Sequence, residues 1–548
     1  MKKNNAFRRA AALIAALSIT VSLAAPAFAD TYYIDYGDIT ITKNEDGSQT
    51  IEQGGDKWTD KAGEETVITT SNTVITTLES DLEGPAAEDS DFGPVVEDNY
   101  QSAQPESTEE SEDADQPEIA EEPKSADRQE SADQQAVPAA APAGATPVNK
   151  KDDGFWGNTI TVINNIADKV LNLTLKDVKI DVSDTGDQYD WDQKGKAALS
   201  VQGKGNVEIE LDGDNELKSG TQSAGLEKTS TGTLTLKDDN KEAGSLTATG
   251  GFNSAGIGGG YLGDGKNITI TGGTVNATGN EDGAGIGGGS SGSGENITIN
   301  DGKVTATGGS YAAGIGGGSV GAWGGDAGSG KNITINGGTV NATGTDGGAG
   351  IGGGENGNGE DITINGGKVN ASGAYGGAGI GGGVNGIGSK VTVSGAAQVT
   401  ATATGSGPDW SGVGTGATIG NGGSKTPDGP VDGKEIQADI SHLTTGYIHH
   451  IIYNPDLDSD GKPDGILKEW WEFALPKPIP DGESLDLHVE TLKGAPLLFN
   501  TRQQGSTLRV TTDNLSARLH GTRQALETLQ EQGVEQIQFV TTLKTTTL

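Results

Sequence analysis

The chain has 548 residues, no cysteine and a formal net charge of −40. Without cysteine there is no disulfide to staple a small exported fold, so stability has to come from burial and backbone hydrogen bonding. Acidity on this scale excludes nucleic acid and anionic lipid as surfaces to bind, and leaves neutral glycans, cations or basic partners.

At the start, Lys2, Lys3, Arg8 and Arg9 make a basic segment, Ala10 to Ala25 an apolar one, and Ala27-Phe28-Ala29 a small-x-small cleavage site before Asp30. That is the pattern of a bacterial secretory signal peptide over residues 1–29. The apolar run is short for a hydrocarbon core of roughly 30 Å, so membrane insertion is not expected. The absence of cysteine rules out a lipobox. No LPxTG-type sorting signal precedes Leu548. Export, no cysteine and abundant Gly, Thr and Asn fit a secreted or cell-wall-associated protein of a Gram-positive bacterium.

Residues 30–78 alternate like strands, with Asp38-Ile39-Thr40-Ile41-Thr42 and the pentapeptide Thr-Val-Ile-Thr-Thr at Thr66 and again at Thr73. They are expected to form a cap or a first coil. Residues 79–150 hold about twenty Asp and Glu against Lys124, Arg128 and Lys150, among Pro, Ala, Ser and Gln. So little apolar area cannot offset the entropy of ordering, and this stretch is expected to be a disordered acidic insert or linker. Its role is either that of a solvated spacer or that of a buffer for cations and basic partners.

From 151 to 425 the chain repeats. Ala-Gly-Ile-Gly-Gly-Gly begins at Ala255, Ala284, Ala313, Ala349 and Ala378, at spacings of 29, 29, 36 and 29 residues. The long spacing carries an insert with Trp323. An Ile-Thr-Ile segment follows in four units, beginning at Ile268, Ile297, Ile333 and Ile362. A third segment begins at Val275, Val304, Val340 and Val369. With weaker flanking copies there are about eight or nine units. Three short strands per unit, separated by Gly-rich corners, predict a parallel β-helix. The preference for right-handed crossovers makes it right-handed. The fold class is therefore all-β, with a small α/β domain after it. Gly does not recur every third residue, which excludes collagen. Thr269, Thr298, Thr334, Thr363 and Thr392 should stack on one face, and Asn276, Thr305, Asn341 and Asn370 on another. Such ladders either stabilise the sheet or present a flat polar surface to an extended glycan or an ice lattice.

The repeats contain no His, and no Arg occurs from Thr146 to Thr501. A lyase of acidic sugars needs a cationic base, and a glycoside hydrolase needs paired carboxylates. Here the carboxylates fall singly at corners, as in Asp264, Asp282, Asp326 and Asp346. The protein is therefore expected not to be an enzyme, with a degenerate polysaccharide lyase as an alternative. Aromatic residues also fall at corners. Phe252, Tyr311 and Tyr375 lie just before a hexapeptide, and Tyr261, Trp323 and Trp410 in neighbouring corners. Tyr311, Trp323, Tyr375 and Trp410 are the candidate carbohydrate-binding residues, since exposed rings stack on sugar faces. Covering the corner, or packing against the C-terminal domain, would account for the same rings.

Residues 426–548 are expected to form the C-terminal domain. Asp456-Leu457-Asp458-Ser459-Asp460-Gly461-Lys462-Pro463-Asp464 sets carboxylates around a Gly turn. Asp456, Asp458, Asp460 and Asp464 are candidate ligands for a structural calcium ion. An acidic turn without a metal is the other reading, and Leu467 stands where an EF-hand has Glu. Ile466 to Phe473 reads as a strand, as do Leu485 to Val489, Leu508 to Thr511 and Ile537 to Thr541. A helix is expected over Thr522 to Glu531.

Ala197-Ala198-Leu199-Ser200-Val201, Val207-Glu208-Ile209-Glu210-Leu211, Ser223-Ala224-Gly225-Leu226 and the hexapeptides together resemble secreted carbohydrate-binding domain-containing proteins of Gram-positive gut bacteria. These are similar to a calcium-dependent family of polysaccharide-binding β-helices. The resemblance covers about residues 155–425, with 31–78 as a split first coil. It implies a right-handed β-helix that binds plant or mucosal polysaccharide, or a host or cell-wall glycan, as an adhesin does. A purely structural cell-surface spacer is the alternative.

Overall fold

An Ile-Thr-Ile segment is too short to hold together alone. Its backbone donors and acceptors need an identical neighbour on each side, and here every coil supplies one to the next. The computed structural model describes residues 30–70 and 146–547, apart from 191, 241, 321–326, 406–411, 456–464, 475–486, 505 and 532. Within these residues the architecture is a parallel β-helix with three strand faces.

The Ile-Thr-Ile strands stack in register, Ile268 on Ile297, Ile333, Ile362 and Val391. The second face stacks Val275 on Val304, Val340, Val369 and Val399. The third is only two residues wide and stacks Ile257 on Ile286, Ile315, Ile351 and Ile380. Alternation sends Ile268 and Ile270 inward, where both are fully buried, and leaves Thr269 between them on the outside. The column from Ile34 through Ile448 forms a single apolar core.

The narrow third face depends on glycine. Gly316 has φ +136°, and a Cβ there would stand 2.0 Å from the carbonyl oxygen of Gly352 in the next coil. The same position in the coil before, Gly287, has φ +141° and a contact of 1.9 Å. Neither the backbone angle nor the space admits a side chain.

The outer faces carry the expected ladders. Thr269 aligns with Thr298, and Asn276 with Thr305. The Asn370 amide donates to the Asn341 side-chain carbonyl at 2.8 Å. A further ladder runs Asn300, Asn336, Asn365 and Ser394, with bonds of 2.8, 2.8 and 2.7 Å.

The third face is ten parallel strands deep, from Ile39–Lys43 to Ile419–Gly420. The additional coils come from the N-terminal region, which has no glycine hexapeptide to betray them. Ile39–Lys43 pairs in parallel with Ile160–Asn164, and Thr66–Thr69 with Leu173 to Lys176. Residues 30–70 are therefore both first coil and cap. Ile39–Lys43, Gln49–Gln53 and Asp56–Asp60 form an antiparallel meander over the open end. Gln49 is buried there, with its amide donating to Thr66 Oγ1 and accepting from the Asn172 N–H. The column also resumes before 151, since the Val148 N–H donates to the Asp35 carbonyl at 2.8 Å.

At the far end, parallel pairing runs past 425. Tyr447–Tyr453 adds to Gln398–Thr404 in parallel, and Ile466–Phe473 returns antiparallel on it. Stacked rings support this hairpin, His449 on Trp471 at 3.7 Å and His450 on Trp470 at 4.5 Å. An open sheet edge needs a cover, and a strand carrying large rings supplies one. The α/β domain therefore begins later than the end of the repeats. It comprises Leu487–Glu490, Pro496–Leu497, Asn500–Gln504, Thr507–Thr511, Arg518–Gly521, the helix Arg523–Glu531, Gln536–Val540 and Thr545–Thr547. Its own core is Val489, Leu508, Val510, Leu529, Val534 and Phe539. No described helix is long and apolar enough to cross a membrane. The signal peptide and the acidic segment at 71–145 lie outside the described residues.

Candidate functional site

Each coil turns twice around its hexapeptide, and the two turns meet along one edge. The first turn precedes the hexapeptide and contains a residue in the left-handed region. In successive coils these are Asn253 (φ 63°), Glu281 (46°), Tyr311 (65°), Asp346 (43°) and Tyr375 (45°). The second turn follows the hexapeptide, and its N–H reaches back to the first turn of the coil before. Ser319 N–H donates to Asp282 O at 2.8 Å, Glu355 N–H to Tyr311 O at 2.7 Å, and Val384 N–H to Gly347 O at 2.7 Å.

This repeated bond brings Phe252, Tyr261, Tyr311 and Tyr375 to one edge, where all four are half-buried. Tyr311 and Tyr375 stand two coils apart, about 10 Å by the strand spacing. Trp323 and Trp410 lie outside the described residues. So do Asp456, Asp458, Asp460 and Asp464. The residues bordering that loop close a hairpin, with Asn454 N–H donating to Gly465 O at 2.9 Å.

Sequence spacing left the carboxylates as isolated corner residues. The structure gathers four of them around Tyr311. Burial raises the Tyr311 hydroxyl above its ordinary value, and Asp346, Glu355, Asp282 and Glu281 raise it further in that order. Asp282 is almost buried, and its carboxyl is pushed up to about 7 by burial and then by Glu281 and Glu355. Burial also raises Glu355. Asp282 and Glu355 lie 73 positions apart, and the stacking of the coils at the corner makes them neighbours. Acidic residues recurring at the two turns in consecutive coils would have been the signal to look for.

The edge offers aromatic faces beside hydrogen-bond acceptors. Carboxylate and tyrosine oxygens accept from sugar hydroxyls, while the negative potential disfavours an acidic polysaccharide. Among the described residues, no three of these carboxylates bring ligand atoms within 4.8 Å of one another.

A second buried cluster sits under the C-terminal hairpin. His450 Nδ1 lies 2.6 Å from Thr418 Oγ1, and Glu435 accepts from the Thr418 and Ile419 N–H groups. Burial lowers the His450 imidazole to about 4 and raises Glu435 and Glu472. These groups face the interior of the cap and close the column.

Comparison with known proteins follows the coils. Residues 242–261, 268–290, 297–319, 333–355 and 362–384 each match the family model described as a β-helix repeat. No curated protein and no solved structure matches the chain. The matched segments are five consecutive turns of the column, and each of the last four runs from its Ile-Thr-Ile strand through its hexapeptide to the second corner turn. With strands stacked in parallel on three faces, the chain has a parallel β-helix fold whose central turns are similar to β-helix repeats.

Proposed function

We propose that the protein is a secreted, non-catalytic polysaccharide-binding or adhesive β-helix that takes a neutral glycan along its tyrosine and carboxylate edge. The observation that carries this reading is the placement of Tyr311 beside Asp346, Glu355 and Asp282, with Tyr375 two coils further along the same edge. Their separation suits one ring stacking on every second sugar of an extended chain. The acidic surroundings supply acceptors for hydroxyls and select against uronic acids. Export rests on the basic, apolar and Ala-Phe-Ala pattern over residues 1–29.

A glycan array followed by titration calorimetry tests it. Saturable binding of a neutral polysaccharide is expected. Tyr311→Ala and Tyr375→Ala should each weaken it about tenfold, equivalent to about 1.4 kcal/mol. An array with no neutral ligand, or variants that bind as well as the wild type, would overturn the proposal. The same incubation should release no reducing sugar. Release would make the nearly buried Asp282 a general acid beside Glu355, in the manner of a hydrolase.

The second reading is a structural cell-surface rod. It is favoured by the Asn300, Asn336, Asn365 and Ser394 ladder, whose side chains bond to one another along the column.

The Asp456 to Asp464 loop remains our candidate for a structural calcium site. Its oxygen-only donors around Gly461 suit a hard cation. Millimolar calcium should raise the thermal midpoint of the wild type by several degrees and leave Asp458→Asn unchanged, read by scanning calorimetry. Equal shifts in both proteins would place the ion elsewhere.

A further inference from the structure

We propose that His488, Glu490 and His520 form a binding site for a divalent transition-metal ion of the zinc type on the outer face of the C-terminal domain. Leu487–Glu490 pairs antiparallel with Arg518–Gly521, and His488 stands directly opposite His520. Alternation turns Val489 and Leu519 into the domain core. It turns His488, Glu490 and His520 together to the other side.

The two imidazoles stack with centroids 5.0 Å apart and planes 8° from parallel. Glu490 Oε1 lies 2.8 Å from His520 Nε2. One ligand atom from each of the three residues lies within 4.8 Å of the others. Tetrahedral bonds of about 2.0–2.1 Å put ligand atoms about 3.3 Å apart, so small side-chain rotations suffice. His488 and His520 are exposed and have room to make them.

Two imidazoles and one carboxylate are borderline donors. They suit Zn²⁺, Co²⁺ or Ni²⁺, whereas Ca²⁺ and Mg²⁺ seek oxygen ligands in greater number. Three protein ligands leave a fourth position for water or an outside donor. Arg518 lies opposite Glu490 in the register, and its positive charge works against the ion. The site is therefore tunable: removing that charge tightens it. An ion here joins Leu487–Glu490 to Arg518–Gly521. This inference stands independently of glycan binding at the tyrosine edge.

The test uses the full chain without an affinity tag, in excess calcium so that oxygen-rich sites are filled. Zinc titration by calorimetry should give one saturable equivalent. Cobalt should give visible d–d absorption of a low-symmetry site, which zinc abolishes. His488→Gln and His520→Gln should each weaken binding at least about tenfold, and His449→Gln should leave it unchanged. Arg518→Gln should tighten binding severalfold, a gain that damage to the fold cannot imitate. Absence of saturable binding, undiminished affinity in His488→Gln, or no gain in Arg518→Gln would overturn the site.

Discussion

Gly316→Ala should be among the most damaging single methyl groups in the repeat region, costing at least about 3 kcal/mol. Two independent penalties add. At φ +136° an alanine sits in a region open essentially to glycine alone, and its Cβ would stand 2.0 Å from the Gly352 carbonyl oxygen. That oxygen is backbone within the next coil, and it cannot swing aside as a side chain would. Either the coils part or the third face loses its pairing between Ile315–Gly316 and Ile351–Gly352. Because repeat stability is roughly a sum of nearest-neighbour terms, one weakened interface should divide the column. Urea unfolding should then change from one transition to two. Thr334→Ser on an outer ladder serves as the control and should move the midpoint by less than about 0.5 kcal/mol. A Gly316→Ala protein with the wild-type midpoint would mean that the coils are not this close.

Asp282→Asn should stabilise the protein at alkaline pH, by up to about 4 kcal/mol, with the gain vanishing in acid. The carboxyl titrates at about 7 in the folded chain, against an ordinary value of 3.8. Between those values the folded state holds a proton that the unfolded state has released. Stability from this group therefore falls as pH rises from about 4 to about 7, and above 7 the whole cost of a buried charge beside Glu281 and Glu355 is present. Asparagine keeps the shape and removes the charge. Thermal midpoints of wild type and variant should coincide near pH 4 and diverge progressively up to pH 8. Parallel curves across that range would show that Asp282 is solvated. A stabilised variant that also lost glycan affinity would link the strained carboxylate to binding, since a costly buried charge is then retained for what it recognises.

The central coils were legible because their information is periodic. The 29-residue spacing of Ala-Gly-Ile-Gly-Gly-Gly places Ile268 over Ile297, and Val275 over Val304, without any tertiary knowledge. Even the 36-residue spacing keeps register, since Ile297 still meets Ile333. The strand Ile466–Phe473 and the helix Arg523–Glu531 were legible from local pattern alone.

The candidate sites were less so, for one physical reason. A repeat reports its own register, but a non-repeating contact depends on what the fold carries past it. Gln49 meets Asn172 only because residues 30–70 and the later coils share one sheet across the acidic segment. Glu355 comes beside Tyr311 through a single corner hydrogen bond. His488 faces His520 because an antiparallel register, set by Val489 and Leu519 packing inward, aligns them. The sequence by itself determined the coil, its period, its polar ladders and its Gly-rich corners. The tertiary structure alone decided how the two ends are closed and which carboxylates, tyrosines and histidines stand together. Burial and cross-strand pairing act at distances along the chain that no local pattern encodes.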